Sequence, residues 1–330
     1  MYKKTRINVA VIGCGQIGIR HIEAYRNIKE FNLIAVVDID RKLVKGTAKR
    51  YNVKGYTKYS TVIHKDNIDV IDVCSPTESH HIIILEALVN NKHVFCEKPL
   101  TYKLEYAYQI KRIQEETGKI IVVGFPYRFH PTIRRLKRIL EDNVLGKPYY
   151  ALFRIGGRGG YRIWKHKKKA GGAIFDMMTH MLDLSDWYFG VVSKAELLSN
   201  EIILEQRLIE GKNIRVEAED FALLKLITTS GIKIFCQADL ITPSYMNIVE
   251  VHGTNGSFFG SILDYLPTVI YLKKRHGLYD RGKNIFKNSY VFLIEEELRY
   301  FMEVLNGLVK PLDNVNSAIR VLKIIEGIKK

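Results

Sequence analysis

The segment 171–183, Gly-Gly-Ala-Ile-Phe-Asp-Met-Met-Thr-His-Met-Leu-Asp, carries residue types that can move a proton. A helix is predicted to start after the two glycines, and Asp176, His180 and Asp183 would then follow at i, i+4 and i+7 on one face. An imidazole titrates near neutral pH, and a carboxylate one turn away can orient it, so the pair suits proton transfer to or from a hydroxyl. An ordinary solvated polar helix face has the same spacing. The elements that precede this segment decide between the two interpretations.

The first of these elements is a glycine turn. The apolar stretch Ile7 to Ile12 runs into Gly-Cys-Gly-Gln-Ile-Gly, and a helical pattern follows. This order predicts a strand, a tight turn at Gly13, close approach of a pyrophosphate at Gly15 and close helix packing at Gly18. The expected cofactor contacts in this turn are Gly13, Gly15, Gln16, Ile17 and Gly18.

An acidic residue follows at the distance that ribose binding requires. A second apolar strand, Leu33 to Val37, ends at Asp38, twenty residues beyond Gly18. A carboxylate there accepts hydrogen bonds from the adenine ribose and repels the 2′-phosphate of NADP, so NAD is the expected cofactor. Arg41 lies close enough to keep NADP possible, and Asp38 has a second interpretation as a helix cap.

Strands and helices continue to alternate up to residue 124, beginning with a helix from about Arg41 to Tyr51 and a short strand Lys54 to Tyr56. This alternation predicts a doubly wound parallel sheet. Ser75-Pro76-Thr77 and Glu97-Lys98 each follow a strand, at the edge where such sheets bind ligands. We expect these turns to contact the cofactor, with Lys98 beside the nicotinamide, although a lone turn lysine is usually solvated. His80 is a further candidate cofactor contact that could instead cap its helix or be solvated.

The pattern changes after Gly124. One helix, Pro131 to Asp142, is followed by alternating runs from Tyr149 to Leu272, among them Ala195 to Leu208 and Ile214 to Ile227. Consecutive strands with short turns predict a large, mostly antiparallel open sheet. We therefore expect a Rossmann domain at 1–124 and an α+β domain for substrate binding and oligomerisation at 125–330. One sheet face is expected to be buried against a second copy, giving a homodimer or homotetramer.

Composition narrows the class of protein. The chain has 330 residues, 47% hydrophobic and 26% charged, which is typical of a globular protein with two domains. No apolar run approaches the ~18 residues that span a bilayer. The four cysteines lack CxxC spacing, which favours free thiols in a reducing cytoplasm.

The net charge of +16 is spread along the chain, and no recognition motif supports nucleic-acid or membrane binding. Its densest run, Lys165 to Lys169, is either a solvated loop or a contact for a substrate phosphate.

Together these motifs resemble the Gfo/Idh/MocA oxidoreductases, the relatives of glucose-fructose oxidoreductase and inositol dehydrogenase. The resemblance rests on the glycine turn, Ser75-Pro76-Thr77 with His80, Glu97-Lys98-Pro99, Arg128-Phe129-His130-Pro131 and the segment from Gly171 to Asp183. It implies hydride transfer between nicotinamide C4 and a carbon that bears a secondary hydroxyl of a sugar, polyol or nucleotide sugar. Lys98, Asp176 and His180 correspond to the catalytic residues of the family.

The resemblance also suggests roles for individual side chains. His180 would take the hydroxyl proton, Lys98 would stabilise negative charge on the same oxygen, and Asp176 would orient substrate or histidine. Arg162 and Trp164 match an Arg-x-Trp cofactor contact, although Trp164 could be loop packing. Candidate substrate contacts are Lys98, Arg128, Asp176, His180, Asp183 and Tyr245. Asp183 has an alternative role as a helix-capping partner.

Two departures from the family pattern concern the polar helix. Ala173 and Met178 stand where relatives often have glycine, and the bulk of Met178 bears on substrate size. Asp176, His180 and Asp183 are metal ligands by type, but there is no HExxH-like partner, so we predict no metal. Two further hypotheses stay open, a regulator that binds NAD or a sugar without turnover and a reductase of ketosugar nucleotides.

Overall fold

The structure, a computed structural model, describes residues 6–157, 162–169, 171–209, 211–312 and 314–328. These residues form two compact units. The first contains the described residues up to Pro126 together with Phe292–Ile319. The second contains Tyr127–Val291 and the described residues from Arg320 onwards.

The first unit is built on a parallel six-stranded sheet of order β3-β2-β1-β4-β5-β6. Its strands are β1 (Ile7–Ile12), β2 (Phe31–Val37), β3 (Lys54–Tyr56), β4 (Val70–Val73), β5 (His93–Glu97) and β6 (Ile121–Gly124). Its helices up to residue 126 are α1 (Gln16–Asn27), α2 (Arg41–Tyr51), α3 (Ser60–Ile63), α4 (Thr77–Val89) and α5 (Leu104–Thr117). The central strands are buried because helices cover both faces of such a sheet. The strand order confirms the predicted doubly wound fold, and it reverses between β1 and β4, where ligands bind at the carboxyl ends.

A helix from the end of the chain completes this unit. Helix α8 (Leu293–Leu305) packs against α1. The ring of Phe301 lies 6.3 Å from that of Phe31 and 5.4 Å from that of Phe95. The sequence division at 124/125 placed this helix in the second domain, and the compact units differ from that division for residues 125–126 and 292–319. The apolar face of α8 packs against rings more than 200 residues away in the sequence, a contact that local patterning does not reveal.

The second unit is built on an eight-stranded sheet of order β16-β15-β14-β13-β7-β12-β11-β8. Its strands are β7 (Pro148–Gly156), β8 (Val192–Glu201), β11 (Phe221–Thr228), β12 (Lys233–Asp239), β13 (Met246–Gly253), β14 (Gly256–Gly260), β15 (Thr268–Leu272) and β16 (Gly282–Phe286). All neighbours pair antiparallel except β7 and β12, which are parallel, so the predicted mostly antiparallel sheet is confirmed.

Two strand predictions for this unit were too long. The predicted runs 195–208 and 214–227 are broken, and β9 (Gln206–Ile209) pairs only with β10 (Lys212–Arg215) in a separate hairpin. The break follows from Asp220, a buried carboxylate that accepts hydrogen bonds from the backbone N–H groups of Ile203 and Leu204 at 2.7 and 3.0 Å. Strand β16 was missed because its residues are polar and partly exposed.

Helices cover one face of the large sheet. They are α6 (Pro131–Glu141), α7 (Thr179–Phe189) and the π-helical turn Ile174–Met178, while α9 (Val315–Gly327) ends the described chain. In the described part of the chain, none of the helices has the length and apolarity needed to cross a membrane.

Candidate active site

The glycine turn after β1 has the shape that a dinucleotide requires. Gly13 has φ of +108°, and a Cβ there would lie 2.6 Å from the backbone of Cys74. A Cβ on Gly18 would lie 1.8 Å from the carbonyl oxygen of Gly13. Gly15 is exposed, and a Cβ there would meet nothing within 4 Å. Gly13 and Gly18 therefore pack the turn, and the free space at Gly15, with the exposed Gln16 and Ile17 at the helix start, suits a pyrophosphate.

Asp38 lies at the carboxyl end of β2 beside this turn. Its Oδ2 accepts the backbone N–H of Cys14 at 2.8 Å, and its Oδ1 accepts that of Asp40 at 2.9 Å. Each oxygen keeps accepting capacity for a ribose hydroxyl. The helix-cap alternative for Asp38 was wrong, because Asp40 caps α2 by accepting from Lys42 and Leu43. Arg41 is exposed at the first position of that helix.

His80 is buried between two turns of the sheet edge. Its Nε2 lies 2.7 Å from the carbonyl oxygen of Ser75, and its Nδ1 lies 3.1 Å from that of Pro99. Burial lowers the pKa of His80, and Cys96 Sγ at 3.3 Å can donate to Nδ1 of a neutral ring. His80 is 1% exposed, so the solvated alternative was wrong. The side chain joins the Ser75-Pro76-Thr77 turn to the turn that follows Lys98.

Lys98 begins the turn after β5 and is half-buried. Its backbone N–H donates to Glu97 Oε2 at 3.1 Å. The other oxygen of that carboxylate, Oε1, lies 3.1 Å from His21 Nε2. Lys98 is thus held at the carboxyl edge of the sheet by its neighbour in the sequence.

The polar helix in the second unit differs from the regular α-helix that the spacing predicted. Ile174–Met178 is π-helical, and the backbone N–H of Thr179 bonds back to Ile174 before α7 continues. The inserted residue shifts Asp176 relative to His180 and Asp183, so α-helical spacing does not describe the three side chains. Short π-helical turns occur frequently at functional sites.

Asp176 is paired with a lysine from the basic run. Lys165 Nζ lies 2.5 Å from Asp176 Oδ2, and Asp176 is 6% exposed. Lys167, from the same run, lies 2.6 Å from Glu217. These two lysines therefore have carboxylate partners within the second unit, which neither alternative for the run foresaw.

His180 lies in an aromatic cluster. Its ring stacks on that of Tyr127 at a centroid distance of 4.4 Å and an interplanar angle of 29°. The hydroxyls of Tyr127 and Tyr245 are hydrogen-bonded, and the buried side chain of Asn247 lies beside them. Burial raises the pKa of Tyr127 well above its usual range and that of Tyr245 to about 12, so both phenols stay protonated at neutral pH.

Tyr127, Asn247 and Lys165 are candidates for this site that sequence reasoning did not assign to it. The sequence offers a signal only for Tyr127, which directly precedes the Arg-Phe-His-Pro motif. Asn247 lies within a predicted strand, and Lys165 belongs to the run that was expected to be either a solvated loop or a contact for a substrate phosphate.

Arg128 and Asp183 form a buried bidentate ion pair. Arg128 Nε donates to Asp183 Oδ2 at 2.9 Å, and Nη2 donates to Oδ1 at 2.6 Å. Both side chains are 2% exposed, and the guanidinium carbon of Arg128 lies 5.5 Å from the centre of a Trp187 ring. Asp183 is a partner of Arg128 rather than a helix cap, and the pair ties the turn before α6 to α7.

Arg162 and Trp164 lie in the second unit and are exposed. Arg162 precedes the short 3-10 helix Ile163–His166, and Lys165 Nζ lies 5.5 Å from the centre of a Trp164 ring. Trp164 is thus next to the lysine that pairs with Asp176. The preceding residues 158–161 and residue 170 lie outside the described part of the chain.

Among the described residues, one group of side chains that could act as metal ligands lies close together, namely His21, Asp72 and Cys74. The imidazole Nδ1 lies 2.8 Å from Asp72 Oδ2, so these groups already hydrogen-bond to each other. Asp176, His180 and Asp183 do not form such a group within the described ranges, since Asp183 is directed to Arg128.

A parallel sheet of this strand order, a glycine turn with a carboxylate beside it and a separate sheet domain are together typical of dinucleotide-dependent oxidoreductases. Residues 7–125 match the family model described as the oxidoreductase family with an NAD-binding Rossmann fold. Residues 133–259 match the GFO/IDH/MocA C-terminal domain. The chain belongs to the Gfo/Idh/MocA oxidoreductase family, as the sequence motifs predicted.

Named relatives extend over most of the chain. A myo-inositol 2-dehydrogenase of Thermotoga maritima is 26% identical, over 92% of this chain and 87% of that protein. An NAD⁺-dependent scyllo-inositol 2-dehydrogenase of Bacillus subtilis is 27% identical, over 96% of this chain and 91% of that protein. The crystal structure of an NAD-binding oxidoreductase from Klebsiella pneumoniae has the same fold, with a TM-score of 0.88, 21% identity and coverage of 99% and 96%.

Proposed function

We propose that this oxidoreductase uses NAD to oxidise a secondary hydroxyl of a sugar or polyol, or to reduce the corresponding ketone. The observation that carries the proposal is the cluster in the second unit that holds His180 against Tyr127 and Asp176 against Lys165. Such a cluster supplies a base with a fixed ring plane and several hydrogen-bonding groups, which polyhydroxylated substrates need. The two inositol dehydrogenases that resemble this chain support the same substrate class.

In the proposed oxidation, His180 takes the hydroxyl proton while the C–H bond of the same carbon breaks. A bound nicotinamide would supply the hydride acceptor, so the alcohol would become a ketone, the cofactor would be reduced and the proton would remain on His180. Lys98 donates a hydrogen bond to the reacting oxygen and stabilises its developing negative charge. Asp176, with its charge balanced by Lys165, orients the substrate. In the reverse direction, His180 returns the proton to the ketone oxygen.

Within this proposal, the enzyme binds NAD in preference to NADP. Gly15 supplies free space, and Asp38 presents two carboxylate oxygens at the end of β2. The exposed Arg41 is the residue that would support NADP. Arg162 and Trp164 remain proposed cofactor contacts.

The experiment that tests the catalytic assignment removes Lys98. Lys98→Ala should bind NADH with affinity close to that of the wild type and lose most turnover with inositols, aldoses and UDP- or dTDP-sugars, followed by absorbance of reduced nicotinamide. The matched control is Lys103→Ala, an exposed lysine in the same connection, which should keep its turnover.

A second comparison tests whether Lys98 and His180 serve one step. His180→Ala should lower kcat by roughly 10²- to 10⁴-fold, the usual contribution of a general base. The double variant should lose much less than the product of the single losses, because groups that act together are not additive. Unchanged turnover in Lys98→Ala, or strictly multiplicative losses, would overturn this mechanism.

We also propose that a second copy covers the open face of the large sheet. The strand register aligns five apolar side chains on that face, with Glu250 of β13 between the second and the third of them. These are Phe235, Leu152, Phe259, Val269 and Ile285, all partly or fully exposed in the single chain. A row of this kind is typical of a homo-oligomer interface. Leu152→Glu should therefore lower the mass measured by light scattering to that of one chain, and an unchanged mass would refute the assignment.

The proposed location is a reducing cytoplasm. The four cysteines, Cys14, Cys74, Cys96 and Cys236, are free thiols in the structure. Thiol titration of protein from freshly lysed cells should find all four reduced.

A further inference from the structure

A buried histidine in the first unit lies between two carboxylates. His21 Nδ1 lies 2.8 Å from Asp72 Oδ2, and His21 Nε2 lies 3.1 Å from Glu97 Oε1. The side chains of His21 and Asp72 have no exposed surface, and that of Glu97 is 13% exposed. The three residues come from α1, β4 and β5, so the contact is set by the fold of the parallel sheet.

With both carboxylates ionised, the geometry requires a doubly protonated ring. An ionised carboxylate only accepts hydrogen bonds, so both ring nitrogens must donate. A neutral ring would direct a lone pair at a carboxylate oxygen within a buried site, at a large cost. Burial by itself lowers the pKa of His21, but the charge and hydrogen bond of Asp72 act together with Cys74 against burial, and the pKa lies well above the usual range.

Other groups face this imidazole from the surrounding elements. The titratable or charged neighbours of the network are Asp72, Cys74, Cys96, Glu97, Tyr25, Glu297 and Lys98. Burial raises the pKa of Tyr25 and of the Cys74 thiol well above their usual ranges, so both are neutral at physiological pH. His21 is thus the cation on which Asp72 and Glu97 depend inside the unit.

Glu97 links the histidine to the active-site lysine. Its Oε1 contacts His21, and its Oε2 accepts the backbone N–H of Lys98 at 3.1 Å. Burial raises the pKa of Glu97, but the hydrogen bond and charge of His21 reverse this effect, and the charge of Lys98 adds to the lowering. The carboxylate therefore stays ionised between the two cations.

We propose that His21 is a positioning residue for Lys98. Its imidazolium, fixed by Asp72, keeps Glu97 ionised and in place, and Glu97 in turn fixes the backbone and the charge of Lys98. The inference rests on the proposed role of Lys98 in hydride transfer, and its test separates the two.

The first test replaces the cation with an uncharged donor. In His21→Gln, two buried carboxylates lose their shared cation, and repulsion raises the pKa of one of them. Glu97 then carries a proton over part of the pH range in which the enzyme is active. The acid limb of the pH profile of kcat should therefore move up by about 1 pH unit or more. At neutral pH we expect kcat to fall by roughly 10-fold, with the affinity for NADH and the KM changed much less.

A charge-balanced double variant distinguishes positioning from a merely structural role. The double variant His21→Gln/Asp72→Asn removes one cation and one anion together. Two neutral amides then replace the His21–Asp72 ion pair beside Glu97, and the charge of Lys98 is unchanged. The acid limb should return towards that of the wild type. His81→Gln is the matched control, because His81 is on α4 of the same unit and hydrogen-bonds to Gln109, outside the network. Its pH profile should overlay that of the wild type.

A spectroscopic test does not depend on catalysis. In ¹⁵N-histidine spectra of the wild type, the resonances that disappear in His21→Gln should show two protonated nitrogens up to alkaline pH. If that result holds while Lys98→Ala keeps its turnover, the proposed function fails and the ion network stands.

Three results would overturn the inference. The first is a neutral His21 at pH 7 in these spectra. The second is a folded, NADH-binding His21→Gln whose kcat profile overlays that of the wild type. The third is stoichiometric zinc on His21, Asp72 and Cys74, lost together with activity on chelation.

Discussion

The buried pair between Arg128 and Asp183 allows the sharpest test of how the second unit is built. Sequence reasoning proposed both residues as substrate contacts, whereas the structure directs two hydrogen bonds of one to the other at 2.6 and 2.9 Å. Both side chains are almost entirely buried. If the pair is structural, Asp183→Asn removes the negative charge that compensates the charge of Arg128. The guanidinium then stays buried without a carboxylate from Asp183.

The expected loss of unfolding free energy is about 3–5 kcal/mol, the usual cost of removing one partner of a buried pair. At about 2–4 °C per kcal/mol for a unit of this size, the melting temperature should fall by roughly 6–20 °C. The double variant Arg128→Met/Asp183→Leu removes both charges and should recover most of that loss. Glu196→Gln, which breaks the exposed pair with Lys225, is the control and should cost about 0–1 kcal/mol.

Urea unfolding at neutral pH, followed by tryptophan fluorescence, measures these free energies, and initial rates with the best polyol substrate give KM. A structural pair predicts a large loss of stability and, below the melting temperature, a KM within a few-fold of the wild type. The reasoning is refuted if Asp183→Asn unfolds like the wild type while its KM rises tenfold or more. That outcome would make Asp183 a substrate ligand, as the sequence motif suggested.

Further predictions concern the nucleotide turn and the aromatic cluster. Gly18→Ala places a Cβ 1.8 Å from a backbone carbonyl oxygen and should abolish NADH binding or folding, whereas Gly15→Ala should fold normally and weaken only NADH binding. If the two variants had equal NADH affinities by calorimetry and equal melting temperatures, the packing role of Gly18 would be contradicted. Asp38→Asn removes the charge that repels a 2′-phosphate and should raise the affinity for NADPH relative to NADH; an unchanged ratio in fluorescence titrations would remove Asp38 from cofactor choice. Tyr127→Phe keeps the stack on His180 and should keep most of kcat, whereas Tyr127→Leu loses about 0.5–1.5 kcal/mol of ring interaction and should lower kcat by roughly 2- to 12-fold. Equal kcat values in the two variants would show that the stack does not position the imidazole.

The sequence alone determined much of the first unit. Runs of β-branched residues that alternate with helical periodicity gave β1, α2 and β3 with the bounds that the structure has. The glycine turn specified its own conformation, because Gly13 and Gly18 occupy positions that no side chain could share with the neighbouring backbone. These features depend on residues close together in the chain, so a single sequence contains the information.

Tertiary structure decided what the polar groups contact. The spacing of Asp176, His180 and Asp183 predicted one regular helix, but a π-helical turn shifts Asp176, and Asp183 turns to Arg128, 55 positions away. The stack of Tyr127 on His180 and the contacts of His21 with Asp72 and Glu97 also join distant segments. A charged or aromatic side chain can form an ion pair, hydrogen bond or ring contact with any complementary group that the fold brings near. Local patterning does not identify which group that will be. Hydrophobic periodicity therefore predicted most elements of the first unit, while burial and pairing across the folded chain determined the surroundings of each candidate catalytic group.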